Sequence, residues 1–291
     1  TATVTGSVGA TAPTGTGTWS FAGTGSPSAA ACNSNTGPTP VSNVTTYTCT
    51  VVDTQAGTYK ATFAYPGDVN YNLVAATASS SSTTVAKATP TLAVTPNTSS
   101  AFPNAILVFT GTITVPANAL APTGLPTFTV TGGAGSCTAA FVSTVGTVST
   151  YTCTFIAVAA GTYGTTFAYV GDTNYNSPTS VASTTTAVAK NTPTVVVVPG
   201  ASTAALGSTL TFTATVTGSN SSNPAPTGVP TWTITSGTGG PTTCTPSGPT
   251  TSTDVATYTC TVTASITGTY AANFTYNGDG NYLAVAVVTS S

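Results

Sequence analysis

The sequence predicts an all-β chain of three tandem immunoglobulin-like β-sandwich domains. Three observations carry that expectation. The composition favours strands, one block of residues occurs three times with constant internal spacing, and each copy holds two cysteines.

Composition comes first. Of 291 residues, 40% are hydrophobic and only 3% are charged, and Thr is the commonest residue. Branching at Cβ makes Thr and Val suit an extended backbone. The strong helix formers Glu, Arg and Met are absent, and Lys and Leu are scarce. Disordered chains combine low hydrophobicity with high net charge. Here the net charge is −2, and Tyr, Phe and Trp recur at fixed places, so a packed core is expected.

The repeat supplies the domain count. Tyr47-Thr48-Cys49, Gly57-Thr58-Tyr59, Gly67-Asp68 and Asn70-Tyr71 form the block in the first copy. It returns as Tyr151-Thr152-Cys153, Gly161-Thr162-Tyr163, Gly171-Asp172 and Asn174-Tyr175, and again as Tyr258-Thr259-Cys260, Gly268-Thr269-Tyr270, Gly278-Asp279 and Asn281-Tyr282. Upstream of each block lies Pro-Thr-Gly and an aromatic strand, from Pro13 to Trp19, Pro122 to Phe128 and Pro226 to Trp232. The period, on the order of a hundred residues, is the size of one β-sandwich. Domains are therefore expected at residues 1–87, 88–190 and 191–291.

In the second copy, strands A to G in immunoglobulin lettering are expected at 91–94, 106–115, 126–131, 136–142, 148–155, 162–169 and within 175–188. Tyr151, Cys153 and Phe155 alternate with smaller residues, as do Tyr163, Thr165, Phe167 and Tyr169; period two places each set on one strand face. Gly, Pro and Asn turns separate the strands. The linkers repeat too: Val85-Ala86-Lys87-Ala88-Thr89-Pro90-Thr91 matches Val188-Ala189-Lys190-Asn191-Thr192-Pro193-Thr194. Each is short and carries a proline that restrains its own φ and its predecessor's backbone, which predicts a semi-rigid rod.

Gly-Thr-Tyr before an aromatic strand, aromatic-x-Gly-Asp-x-Asn-Tyr after it, and the Val-x-Lys-x-Thr-Pro-Thr linker together resemble the bacterial Ig-like domain repeat of the group-3 type. The resemblance covers all three copies. It implies Ig-like sandwiches serving as spacer or adhesive modules of secreted and surface proteins. The cysteine pair in each domain and the near absence of charge depart from that family's usual pattern.

The cysteines are expected to pair within copies, as Cys32–Cys49, Cys137–Cys153 and Cys244–Cys260, joining strand D to strand E in an oxidising compartment. Closure of loops this short stabilises by about 3 kcal/mol. Tyr59, Tyr163 and Tyr270 follow a Gly at the E–F corner and suit a tyrosine corner, with the hydroxyl bonded to nearby backbone. Asp68, Asp172 and Asp279 are expected to close the F–G turn through their own backbone. Calcium, which takes six to eight oxygens, fits poorly beside one carboxylate per turn. Asn43, Asn97, Asn220 and Asn273 begin Asn-x-Ser/Thr sequons, candidate glycan acceptors.

Function classes narrow accordingly. With no His, no Glu and no paired carboxylates, general acid–base and triad chemistry lack their usual groups, so no enzyme and no cofactor are expected. The charge is too small and of the wrong sign for nucleic acid. No stretch is apolar enough to span a membrane. Residues 1–7 match 213–219, inside strand B of the third copy. The first domain is thus expected to lack its first strand, and the third to end in an incomplete last strand. Strand addition at these edges would build a linear head-to-tail self-assembly. The expected function is a structural, extracellular or cell-surface protein, a rod forming or belonging to a fibre. The alternative is an adhesin or carbohydrate-binding array with the domains as spacers, for which enlarged loops at 219–225 and 237–253 of the third copy are the candidates.

Overall fold

The computed structural model describes residues 1–24, 32, 34–133, 135–219 and 223–290. All regular structure among them is strand. The first third holds β1 (Ala2–Thr5), β2 (Thr18–Gly23), β3 (Ser34–Val41), β4 (Val44–Thr50), β5 (Gly57–Tyr65), β6 (Val74–Ala78) and β7 (Thr83–Val85). The second holds β8 (Thr91–Pro96), β9 (Ser100–Ala101), β10 (Ile106–Thr114), β11 (Pro126–Thr131), β12 (Ala140–Val145), β13 (Val148–Ile156), β14 (Gly161–Tyr169), β15 (Val181–Ala182) and β16 (Thr186–Val188). The last holds β17 (Thr194–Pro199), β18 (Thr209–Thr217), β19 (Pro230–Thr235), β20 (Thr245–Ser252), β21 (Val255–Thr263), β22 (Ala271–Tyr276) and β23 (Val285–Thr289).

The described strands form six sheets, and none of these mixes strands from different thirds. The middle unit pairs in the order β12-β13-β10-β8 on one side and β11-β14-β16-β9 on the other. In immunoglobulin terms these are D-E-B-A and C-F-G, with a short β9 added to the G edge. The third unit repeats the pattern as β17-β18-β21-β20 and β19-β22-β23. The first has β1-β4-β3 and β2-β5-β6, with β7 also on β5.

Alternation builds the core. Strand β13 buries Tyr151, Cys153 and Phe155 on one face, and β14 buries Tyr163, Phe167 and Tyr169 on the face opposing it. One aromatic pair recurs between strands C and F: Trp19–Phe63, Phe128–Phe167 and Trp232–Phe274, with centroids 4.9, 4.7 and 4.8 Å apart. Such pairs add about 1 kcal/mol beyond the area they bury. Gly111 on β10 makes room for the middle pair, because a Cβ there would lie 2.7 Å from Phe167 and 2.8 Å from Phe128.

Two expectations need correction, the fourth strand of the middle unit and the loop at 237–253. The fourth strand of the middle unit runs over Ala140–Val145, so Cys137 lies in the C–D connection and not within a strand. Strand G lies within 175–188, as expected, but in two short pieces. Tyr175 makes an isolated bridge to Ala88, and two short strands, β15 and β16, follow. The reason is a change of neighbour: β15 pairs with the end of β14 and β16 with its beginning. Residues 237–253 are not an enlarged loop, because 245–252 form β20 against β21.

Candidate functional site

The recurrent residues gather at the two poles of each unit. At one pole the E–F corner is tied by its tyrosine. Tyr59 donates to Gln55 O at 2.7 Å, Tyr163 to Ala159 O at 2.8 Å and Tyr270 to Ile266 O at 3.0 Å. The disulfides Cys32–Cys49, Cys137–Cys153 and Cys244–Cys260 have Cα–Cα distances of 5.3, 5.4 and 5.7 Å. Each ties the C–D connection to strand E. Cys153 and Cys260 are fully buried, so the bridge enters the core at strand E.

At the other pole the Gly-Asp-x-Asn-Tyr turn centres on its aspartate. Gly67, Gly171 and Gly278 have φ of 86, 82 and 78°, left-handed values that glycine adopts without steric cost. In the middle unit, Asp172 Oδ1 accepts from Asn174 N at 2.8 Å and Tyr175 N at 3.1 Å. Its Oδ2 accepts from Tyr169 Oη at 2.8 Å, Thr123 N at 2.7 Å and Thr123 Oγ1 at 3.0 Å. One carboxylate therefore closes the F–G turn and clips it to the Pro-Thr-Gly of the B–C loop. Asp68 repeats this with Asn70, Tyr71, Tyr65 and Thr14, and Asp279 with Asn281, Tyr282, Tyr276 and Thr227. The sequence showed both Pro-Thr-Gly and Gly-Asp, but nothing in spacing linked them; their constant co-occurrence was the available signal.

The charges respond to this geometry. Burial pushes the Asp172 carboxyl up, but hydrogen bonds from Thr123, Tyr169 and Asn174 outweigh it, and the pKa falls to about 2. In Asp279 burial is likewise outweighed by bonds from Thr227, Asn281 and Tyr276. The Thr14 amide and the Tyr65 hydroxyl hold Asp68 well below the usual carboxylate range. Burial, then the bond to Asp172, pushes the Tyr169 phenol up.

The linkers dock on this same turn. Lys87 Nζ donates to Asp172 O at 2.5 Å, Ala88 N to Asn174 O at 3.0 Å, and Asn176 N to Ala88 O at 2.8 Å. At the second joint Lys190 Nζ donates to Asp279 O, Asn191 N to Asn281 O at 2.8 Å, and Leu283 N to Asn191 O at 2.8 Å. Between the first two units, Ala56 N in the E–F corner of one donates to Asn174 Oδ1 of the next at 3.0 Å. At the second joint the equivalent Asn281 Oδ1 is buried without a hydrogen-bond partner.

The sequons separate by environment. Asn97 is exposed. Asn43 Nδ2, the atom a glycan would take, donates to Gly6 O at 2.7 Å. Asn273 lies mid-strand in β22, with Oδ1 accepting from Thr289 Oγ1 at 2.7 Å. Asn220 lies outside the described residues. Among the described residues no group of three His, Cys, Asp or Glu could hold a metal, and no helix is long and apolar enough to cross a membrane.

No protein-family model matches the sequence, and no curated protein does. Among solved structures, the chain is similar to the Yersinia pseudotuberculosis adhesin InvE, at 15% identity and a TM-score of 0.40, over 69% of this chain and 58% of that one. It is also similar to the Escherichia coli adhesin FdeC, at 14% identity and a TM-score of 0.31, over 99% and 87%. The chain thus spans little more than half of InvE. Scores this low leave the fold assignment to rest on the sheet order and register described above.

Proposed function

We propose that the chain is a structural extracellular protein, a semi-rigid rod of three Ig-like domains that forms or belongs to a cell-surface fibre. On this reading the domains are bacterial Ig-like repeats of the group-3 type, divided at 87/88 and 190/191. The observation that carries it is the double use of the Gly-Asp-x-Asn-Tyr turn. The same turn that closes each of the last two units also holds the linker entering it, through Lys87 and Ala88 at one joint and Lys190 and Asn191 at the other. A linker whose backbone is paired into the next unit leaves little freedom for bending. Three disulfides, one per unit, support an oxidising, extracellular setting. The surface carries few charges, and a glycan on Asn97 would help to keep it soluble.

Small-angle scattering tests the rod. A nine-residue strand such as β10 is about 30 Å long, so three units in line reach about 100 Å or more. The radius of gyration is then about 30 Å, against about 19 Å for a globule of this length. A value near the lower figure rules the rod out.

A further inference from the structure

In each unit strand D is an edge strand, paired with strand E alone: β3 on β4, β12 on β13 and β20 on β21. Such an edge presents a row of free backbone N–H and C=O groups, and proteins blunt it with proline, charge or a bulge. Strands β3 and β20 are blunted in this way. They read Ser-Asn-Thr-Gly-Pro-Thr-Pro-Val and Thr-Pro-Ser-Gly-Pro-Thr-Thr-Ser, with Pro38 and Pro40 in one and Pro246 and Pro249 in the other. A proline has no N–H to donate to an incoming strand. Gly37-Pro38 and Gly248-Pro249 also interrupt the pairing by two residues, between Thr36 and Thr39 and between Ser247 and Thr250.

Strand β12 lacks these devices. It reads Ala-Phe-Val-Ser-Thr-Val, with neither proline nor charge, and its pairing is interrupted by Val142 alone. Its side chains are open as well: Phe141 is 60% exposed, Val142 55% and Val145 74%. By contrast β20 exposes no large apolar side chain, and β3 only its last residue, Val41. Phe141 rests an edge of its ring on Tyr151, with centroids 5.6 Å apart, and the rest of the ring is free. The A and C edges of the same unit differ. Strand β8 packs against β14 and β15 of the opposite sheet, as β17 does against β22 and β23 in the third unit. Strand β11 exposes threonines and buries Phe128.

We infer that β12 is an interaction surface for a second copy of this chain, whose own β12 adds antiparallel to it. The two four-stranded sheets of the middle units then merge into one. Charge selects the occupant. The chain has three basic and five acidic side chains, and none lies in β12 or β13. A charged partner finds no counter-charge on this edge, whereas two identical uncharged edges meet without repulsion. An antiparallel pair of identical strands closes about a two-fold axis, so each copy offers the same residues and association at this edge stops at two. Because the strands run from pole to pole, the two rods lie antiparallel. Backbone pairing supplies affinity, as in other strand additions. Phe141, already held against Tyr151, is the aromatic anchor, and Val142 and Val145 widen the apolar contact. The inference rests on the fibre reading in one respect: in a fibre, copies of this chain are its nearest neighbours. To that reading it adds a lateral contact between rods.

Sedimentation of the full chain at rising concentration tests the pairing. The contact is one strand and three apolar side chains, at the small end of specific interfaces, so the sedimenting species should grow from one chain toward two across the micromolar range. Over the same range, exchange of the amides of residues 140–145 should slow by roughly fivefold or more, and exchange at the other edges should not change. The double variant Val142→Lys/Val145→Lys brings like charges together and should weaken association by about tenfold or more. The same change on β17, Val196→Lys/Val198→Lys, should leave association as it was. The exchange measurement needs no substitution, so it decides the question even where a variant fails to fold. A chain that stays single at about 1 mM overturns the inference and leaves the edge to a strand of another protein. Equal weakening by the two variants overturns it, and so does association that slows exchange at another edge and not at 140–145. A rod-like scattering profile from a chain that stays single would refute the pairing and leave the rod intact; a pair of compact chains would do the reverse.

Discussion

Replacing Asp172 by Ala should uncouple the F–G turn from the B–C loop of the middle unit. The carboxylate accepts from the amides of Thr123, Asn174 and Tyr175 and from the Tyr169 hydroxyl, at 2.7 to 3.1 Å. Tyr169 is 1% exposed, so its hydroxyl gains little from water once the acceptor is gone. A buried donor left unpaired costs about 1 to 3 kcal/mol, whereas the Thr123 amide, at an exposed position, recovers part of its loss from solvent. The turn amides bring the sum to about 3 to 4 kcal/mol. Asp172→Asn keeps an oxygen for Asn174 and Tyr175 but turns an amide N–H₂ toward the Thr123 N–H, and should cost about 2 kcal/mol. Denaturant unfolding of the full chain, read by hydrogen exchange in residues 120–125 and 169–177, gives both magnitude and location. A loss below about 0.5 kcal/mol for Asp172→Ala would place the variant among ordinary surface changes and refute the clip. Equal losses for the two variants would refute the assignment of separate roles to Oδ1 and Oδ2.

Acid should act on the same three turns. Each aspartate is depressed in the folded state, Asp172 to about 2, whereas an unfolded Asp titrates near 3.9. Between those values the unfolded chain binds more protons, so the stabilisation is complete above about pH 4 and is lost as pH falls toward 2. Melting temperature should be level from pH 7 to about 5 and drop below 4; an unchanged value at pH 2 counts against the clip. Replacing Cys137 and Cys153 together by Ala should lower stability by about 3 kcal/mol, the loop-closure value for their separation of 16 residues. A shift in denaturation midpoint confined to exchange in residues 126–169 is the expected signature, and loss of structure in the third unit would contradict separate units.

How far the sequence reached can be judged from particular strands. The second, third, fifth and sixth strands of the middle unit were legible to within a residue or so, because their faces alternate between apolar and polar partners in a half-buried sheet. The fourth was misplaced. Its exposed pattern, with Phe141, Val142 and Val145 all open to solvent, reflects an edge strand whose one core contact is the edge of Phe141 on Tyr151. The last strand was placed only within 175–188, because Val, Ser and Thr favour extension throughout that segment, and only pairing with β14 decides where it runs and where it breaks.

The same division runs through the site. Chain order alone determined the threefold repeat, the partner of each cysteine by proximity, and the turn that Gly-Asp-x-Asn-Tyr requires, since these depend on residues near one another in sequence. Tertiary structure decided everything that joins distant segments. Asp172 reaches Thr123 across a separation of 49 residues, and Lys87 reaches Asp172 across 85. No local propensity records such contacts, because they exist only once two sheets have packed and brought the B–C loop, the F–G turn and the incoming linker to one pole.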